Sequence, residues 1–273
     1  MKLHIFNVGH GSCALLKTSN GGVMLFDCGH SDGSFHPSIA LANNGITIIH
    51  RFYLSHFDAD HVSDLTALRR ACAINALFRN RTLSGQVIRA DKGAVGGTTL
   101  GLDNALYMHD TYIHHMPIEP DFQGVNVLSF FNSYPAFTDM NNLSLVSFVD
   151  MAGVGVLIPG DLERAGWLKL LEREDFRNMS GRVHVFVASH HGRENGYCRE
   201  VFDYCKPQVV IVSDTDRQYE SQEHCYDSHA TGINWLGGGK RYVVTTRSDG
   251  HITIAADGNG RATVTASGFI PVL

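Results

Sequence analysis

The stretch Ser55-His56-Phe57-Asp58-Ala59-Asp60-His61 decides the reading of this chain. His56, Asp58, Asp60 and His61 are all metal-type side chains, and they follow directly on the apolar run ITIIHRFYLS (46–55). Such a run reads as a buried strand, so the cluster sits on the loop at its end. Neutral imidazole and carboxylate are the donors that zinc, iron and manganese take. In a tight loop past a strand end, positions 56 and 58 can face one way and 60 and 61 another, which gives room for two adjacent ions. The plainer alternative is a polar loop in which Asp58 or Asp60 caps a helix starting near Val62.

Two later segments repeat the layout. Leu157-Ile158-Pro159-Gly160-Asp161 sets a carboxylate just beyond another apolar strand, and Val187-Ala188-Ser189-His190-His191-Gly192 ends a third in a histidine pair. Taken singly, Asp161 reads as a helix N-cap. A histidine pair at a strand end is harder to explain by packing. Three strand ends that each deliver metal-type donors converge most economically on one site, at one edge of the fold.

The surrounding pattern supplies the strands. LHIFNV, CALLKT and GGVMLFD occupy the first 30 residues, with Asn20-Gly21-Gly22 as a hairpin turn. Leu65, Leu68 and Cys72 have helical spacing. Residues 93–125, rich in Gly, His and aromatics, read as irregular, and 75–125 as a surface insertion or lid. A meander of VNVLSFF, LSLVSFVD and VGVLIPG precedes a helix over 162–174, and further helices are expected near 197–204 and 229–236. The order of elements fits an α+β fold of two sheets packed face to face with helices outside, as a single domain over 1–273.

Composition excludes several classes. Of 273 residues, 44% are hydrophobic and 18% charged, against a usual ~25% charged, which rules out a disordered chain, a coiled coil or a polycation. A net charge of -5 argues against a non-specific nucleic-acid coat. No apolar run approaches the ~20 residues of a membrane helix, and Met1–Val8 reads as a strand rather than a signal peptide. The six cysteines form no C-x-x-C pair and read as small buried hydrophobes in a reducing cytoplasm.

Taken together, the motifs His56–His61, Asn141–Val146, Gly160-Asp161 and Ser189–Gly192 resemble the metallo-β-lactamase fold. More narrowly, the chain resembles the soluble metallohydrolase domain of the bacterial DNA-uptake protein ComEC and its stand-alone relatives. FNVGHGSCALL (6–16), LFDCG (25–29), SHATGINWL (228–236) and YVVTTRSDGHITI (242–254) extend the likeness over nearly the whole chain, apart from about 75–125. The resemblance implies a four-layer αββα sandwich and two divalent ions, Zn or Mn. It implies that His56 and Asp58 hold one ion, that Asp60, His61 and His190 hold the other, and that Asp161 bridges them. Asp60, Asp161 and His191 would serve catalysis, and spacing alone leaves His190 and His191 both open as ligand. Asn141 and Asn142 stand where much of the fold has a further histidine; with Arg193 and His229 they are the expected substrate contacts. Asp27 matches a family aspartate and reads as a hydrogen-bonder that braces a ligand. Where the family has Gly-Gln-Gly-Asp, this chain has Gly9-His10-Gly11-Ser12.

The chemistry expected of two such ions is hydrolysis by a metal-bridging hydroxide, with the ions stabilising the charge that develops on a phosphodiester. No G-x-S-x-G elbow or P-loop is present to support a serine hydrolase or a nucleotide kinase. The leading expectation is a nuclease, with nucleic acid or a nucleotide-like phosphodiester as partner, together with a protein partner in a defence or processing system. The alternatives are a phosphodiesterase for a small ester, an acyl hydrolase or lactonase, and a non-catalytic metal-stabilised binding module. Arg69, Arg70, Arg79, Arg81, Arg89 and Lys92 form a basic stretch that would track a phosphate backbone or else be a solvated face. Phe57 and Tyr197 could stack on a base but read first as packing. His109, His114 and His115 match no ligand motif and are expected on an exposed loop.

Overall fold

The two-residue period of the strands sorts their apolar side chains onto the two faces of each sheet. The computed structural model describes residues 1–31, 33, 35–112, 119–215, 222–236, 238–256 and 260–273. The strands begin with β1 (Lys2–Ile5), β2 (Ala14–Lys17), β3 (Val23–Phe26), β4 (Ile48–Tyr53) and β5 (Ala73–Phe78). They continue with β6 (Val125–Phe130), β7 (Val146–Met151), β8 (Val154–Ile158), β9 (Val183–Val187) and β10 (Val209–Val212). The last are β11 (Ile233–Asn234), β12 (Lys240–Arg241), β13 (Val243–Thr245), β14 (His251–Ala256) and β15 (Ala262–Ser267). One sheet has the order β15-β14-β1-β2-β3-β4-β5 and the other β13-β10-β9-β8-β7-β6, while β11 and β12 form a small ribbon.

Alternate residues of each strand point to different cores. Leu3, Ile5, Leu16, Met24 and Phe26 of the first sheet meet Val149, Val156, Ile158, Val185 and Ile211 of the second, filling the space between the sheets. Their neighbours Leu15, Val23 and Leu25 face outward onto Leu65, Leu68, Ile88, Leu102 and Leu106. Those residues come from α3 (Leu65–Ala71), α4 (Gly85–Ala94) and α5 (Leu100–Thr111), which join α1 (Pro37–Asn43) and the short α2 (Ala59–Val62) on that side. On the far side, Phe148, Leu157 and Phe186 pack on Trp167, Leu170 and Phe176 of α6 (Arg164–Leu171) and α7 (Glu174–Ser180). The result is the four-layer αββα sandwich that the sequence leads one to expect. Each fully buried Leu, Val or Phe adds roughly 1.5–3 kcal/mol to its cohesion.

Strand direction decides where the site lies. β3, β4 and β5 run parallel, as do β8, β9, β10 and β13. Their carboxyl ends therefore open onto one edge, the usual ligand position in sheets of this kind. The Leu145 amide, donating to the Ser55 carbonyl at 2.7 Å, stitches the two sheets there, and the His190 amide, donating to the Gly160 carbonyl at 3.1 Å, joins the loops after β9 and β8.

Several local expectations need correction. Residues 93–125 are not uniformly irregular, since Leu100–Thr111 form α5, whose Leu102, Ala105, Leu106 and Met108 are buried. Nor is 75–125 simply a surface lid: it includes most of β5 in the sheet and two helices packed on the core. His109 is buried on α5 and faces Arg79, while His114 and His115 lie outside the described residues. The helix expected over 162–174 is two, α6 and α7. Near 197–204 the chain makes only a 3₁₀ turn at Arg199–Asp203, and within 229–236 it contributes β11 rather than a helix. Five of the six cysteines are buried and Cys225 is half-buried, all as free thiols. No helix among the described residues is long and apolar enough to cross a membrane.

Gly29 fixes the turn after β3 against the metal-type loop. A Cβ there would stand 1.5 Å from the Asp60 carbonyl oxygen. Gly29→Ala is therefore expected to cost about 1–3 kcal/mol or more in urea unfolding, because backbone and not a pliable side chain must move. A separate pH dependence comes from β1. Burial, helped by Lys2 and His251, pushes His4 down from 6.5 to about 4. The unfolded chain thus binds the extra proton first, and stability falls as pH drops from 6.5 toward about 4. Urea melts across that range should show a shallower slope for His4→Gln than for the parent.

Candidate metal centre

The centre is assembled from the ends of β4, β8 and β9. After β4 the chain makes the 54–58 loop and the single turn of α2, which puts Asp60 and His61 on a helical backbone. Asp58 occupies the N-cap position of α2 but its side chain makes no cap hydrogen bond. Asp161 does not cap α6 either, whose N-cap residue is Glu163. The capping readings of these carboxylates therefore fail, and the side chains turn inward instead. After β9, His190 and His191 both adopt left-handed backbone, with φ of 49° and 55°. Each such non-glycine residue costs of order 1–3 kcal/mol and persists only where surroundings enforce it. Here the Ser189 hydroxyl donates to the Leu162 carbonyl, and the His190 amide to that of Gly160, tying the turn to the Asp161 loop.

Asp60, His61, Asp161 and His191 bring four donor atoms within 4.8 Å of one another. His61 Nε2 lies 3.2 Å from Asp161 Oδ1 and 3.8 Å from Asp60 Oδ2. His191 Nε2 lies 3.2 Å from Asp60 Oδ2 and 3.6 Å from Asp161 Oδ2. Two donors on one tetrahedral zinc, each at ~2.0–2.1 Å, stand about 3.3 Å apart. The observed separations scatter around that edge length. A second group shares Asp161: His56 Nε2 is 3.9 Å and His190 Nε2 is 3.7 Å from Asp161 Oδ2, and His56 Nε2 is 3.5 Å from Asp58 Oδ2.

The other ring nitrogens fix which atom faces inward. His61 Nδ1 is 2.8 Å from Asp27 Oδ2, His56 Nδ1 is 3.0 Å from Ser55 Oγ, and His191 Nδ1 is 3.0 Å from the Ser213 carbonyl. With Nδ1–H donating to those oxygens, each Nε2 is the atom turned toward the centre, the nitrogen available to a metal once it is deprotonated. Asp27 is itself held by the Ser55 amide and hydroxyl, both at 2.8 Å. The Nε2 atoms of His56 and His61 are buried without a hydrogen-bond partner. Buried polar atoms normally find one. The donors present thus fit a divalent ion.

Electrostatics agree. Against burial, which pushes it down, Asp161, Asp27 and Asp60 hold His61 well above its ordinary value. Asp161 and Asp60 raise His191 in the same way. Against burial, which pushes them up, the neighbouring imidazoles hold Asp60 and Asp161 below the carboxylate range. His190 is different: burial, with Arg193 and His191 contributing, lowers it to about 4.

Of the residues expected from sequence, His56, Asp58, Asp60, His61, Asp161, His190 and His191 all gather here. His191 rather than His190 closes the group with Asp60 and His61. His190 approaches the same Asp161 Oδ2 at 3.7 Å, and its Nε2 receives an Arg193 N–H at 3.2 Å. Asn142 does not face the centre, because its Oδ1 accepts from the Gly166 amide at 2.8 Å. Asn141 donates to Glu163 at 3.0 Å. His229 stacks on Phe202 and meets the Tyr197 hydroxyl at 2.7 Å, so both it and Tyr197 serve packing there. Phe57 is buried against His109. The basic stretch is not an open patch: Arg79 is buried and donates to the Leu77, His109 and Tyr112 carbonyls, Arg89 pairs with Asp110, and Lys92 with Asp58.

Sequence reasoning missed His10 and the role of Lys92. His10 Nε2 lies 3.4 Å from Asp60 Oδ2, and its ring packs on His191. The departure at Gly9-His10-Gly11-Ser12 was its only signal. His30 joins a separate group with His36 and Asp64.

No protein-family model matches the sequence, and no curated protein does. Among solved structures, the chain is similar to the metallo-β-lactamase fold protein YhfI from Bacillus subtilis, at 10% identity and a TM-score of 0.47 over 90% of this chain and 96% of that one. A diphosphatase from the PhnP family matches at 11% identity and a TM-score of 0.47, over 94% and 98%. Zn²⁺-bound PqqB from Methylobacterium extorquens matches at 12% and 0.45, over 79% and 89%. Identities this low do not speak to activity, and these TM-scores fall below 0.5. The functional reading therefore rests on the geometry of the centre.

One consequence is a proton-linked affinity. His61 and His191 hold protons in the metal-free protein because their values are raised, and an ion must displace those protons. Affinity for Zn²⁺ should therefore rise as pH rises from about 6 to 8. Calorimetry in buffers of different ionisation enthalpy should show proton release on binding.

Proposed function

We propose that this chain is a metal-dependent hydrolase acting on phosphodiester bonds, with Zn²⁺ or Mn²⁺ in the centre. The observation that carries the reading is Asp161, a buried carboxylate whose two oxygens face His61 on one side and His56, His190 and His191 on the other. A pair of divalent ions on such a bridge would activate water and polarise the oxygens of an ester. Asp60, His61, Asp161 and His191 would hold one ion, and His56 and Asp58 would contribute to the other. Asp27 and Ser55 orient the imidazoles, and Arg193 extends a guanidinium beside His190 and His10, where a fork of N–H donors suits phosphate oxygens.

Nucleic acid is the substrate that the resemblance implies. One observation favours a small phosphodiester as a second reading. Arg79, Arg89 and Lys92 are engaged within the protein, which leaves less free positive charge after the metal loop to follow a long polyanion. A panel of single- and double-stranded DNA, RNA, bis-p-nitrophenyl phosphate and a chromogenic lactone, with Mn²⁺ or Zn²⁺ added, separates these readings. Phosphodiester cleavage without lactone cleavage is expected, falling to background in Asp161→Ala and His61→Ala. Turnover that survives both substitutions, or confined to the lactone, would refute the proposal.

A further inference from the structure

The two ion positions are unequal, and the cause lies on α4. On that helix Gly85, Ile88 and Lys92 are the buried positions, at the spacing of one inward face. Lys92 thus stands where helical periodicity calls for an apolar residue. Its ammonium reaches Asp58 Oδ1 at 2.5 Å and Asp91 at 3.1 Å, and its side chain is only 11% exposed. Asp58 is the carboxylate that, with His56, supplies the first position.

The second position has four donors, Asp60, His61, His191 and the shared Asp161. The first has His56 Nε2, the remaining oxygen of Asp58 at 3.5 Å from it, and a share of Asp161. Asn141 and Asn142 add no donor, since they face Glu163 and the Gly166 amide. His190 is close enough to help, but its Nε2 accepts from Arg193. Two fixed cations, Lys92 and Arg193, thus contact the donors of the first position. Nζ of Lys92 also occupies half of its carboxylate. The charge that a second divalent ion would supply is partly provided by the protein.

We propose that Lys92 is a built-in counter-cation that keeps the first position weakly held. The chain then retains one divalent ion at Asp60–His61–Asp161–His191 and takes a second only when that ion is in excess. This inference rests on the metal-centre reading above.

The test measures metal content, not turnover. Full-length protein is stripped with a chelator, reloaded with Zn²⁺, passed through a desalting column and analysed by mass spectrometry for metal. The second equivalent is titrated against a chromophoric chelator. The parent should retain one ion and bind the next at least about tenfold more weakly, the scale on which residues beyond the ligands tune metal affinity. Lys92→Met should tighten the second binding by at least about tenfold, and Lys92→Gln serves if the Met variant does not fold. Lys92→Arg, which keeps the charge, should behave as the parent, and Asp60→Asn should lose the retained ion. Two equally tight ions in the parent would overturn the inference and leave the metal-centre reading standing. So would second-site affinity that is unchanged in the neutral variants. A parent that binds no ion would overturn both.

Discussion

Carboxylates crowded at the end of a sandwich must be neutralised, and the rest of the site is organised around that need. Asp60 and Asp161 place oxygens within 4.8 Å of each other, and Asp27 stands directly behind His61. Like charges near 4 Å repel by about 4 kcal/mol at the effective dielectric of a protein surface. Imidazoles, one lysine and one arginine surround the group, yet two Nε2 atoms are left with nothing to bond. An arrangement with buried ring nitrogens left unsatisfied beside excess acid is unstable as a mere packing solution. It is consistent as a cation cradle.

The fold supplies the cradle through strand direction. Parallel strands in both sheets release their chains at the same edge, so residues more than a hundred positions apart in sequence meet without long loops. Glycines make the close approach possible. Gly29 lies against the Asp60 backbone, and Gly160 turns with φ of 62° against the Ser55 side chain. Ser55 then serves three masters, bonding Asp27 and approaching both His56 and His61. The sandwich core is therefore not separable from the site, since the residues that bridge the sheets also set the rings.

Much of this is legible in the residues themselves. Apolar runs reveal the strands, and His56, Asp58, Asp60 and His61 at the end of one reveal the site. What escapes is whatever depends on distant parts of the chain. His190 and His191 are interchangeable by spacing, and only the folded chain shows that His191 reaches Asp60 while His190 meets Arg193. Arg79 reads as a free charge because nothing local shows that three carbonyls wait for it. Lys92 reads as part of a basic face because its partner Asp58 lies 34 positions away. Asn142 looks like a substrate contact until α6 presents an unpaired amide. The region after β5 hides α5 because glycines and histidines dilute its apolar spacing.

The paired left-handed histidines carry a consequence for how the chain can change. A β-branched residue is excluded at either place by its own backbone, and glycine would relax the turn while deleting a donor. Shape and chemistry are thus encoded by the same two side chains, so neither can drift alone. Any descendant that gives up either imidazole must rebuild that corner, and one that keeps both inherits a turn already under tension.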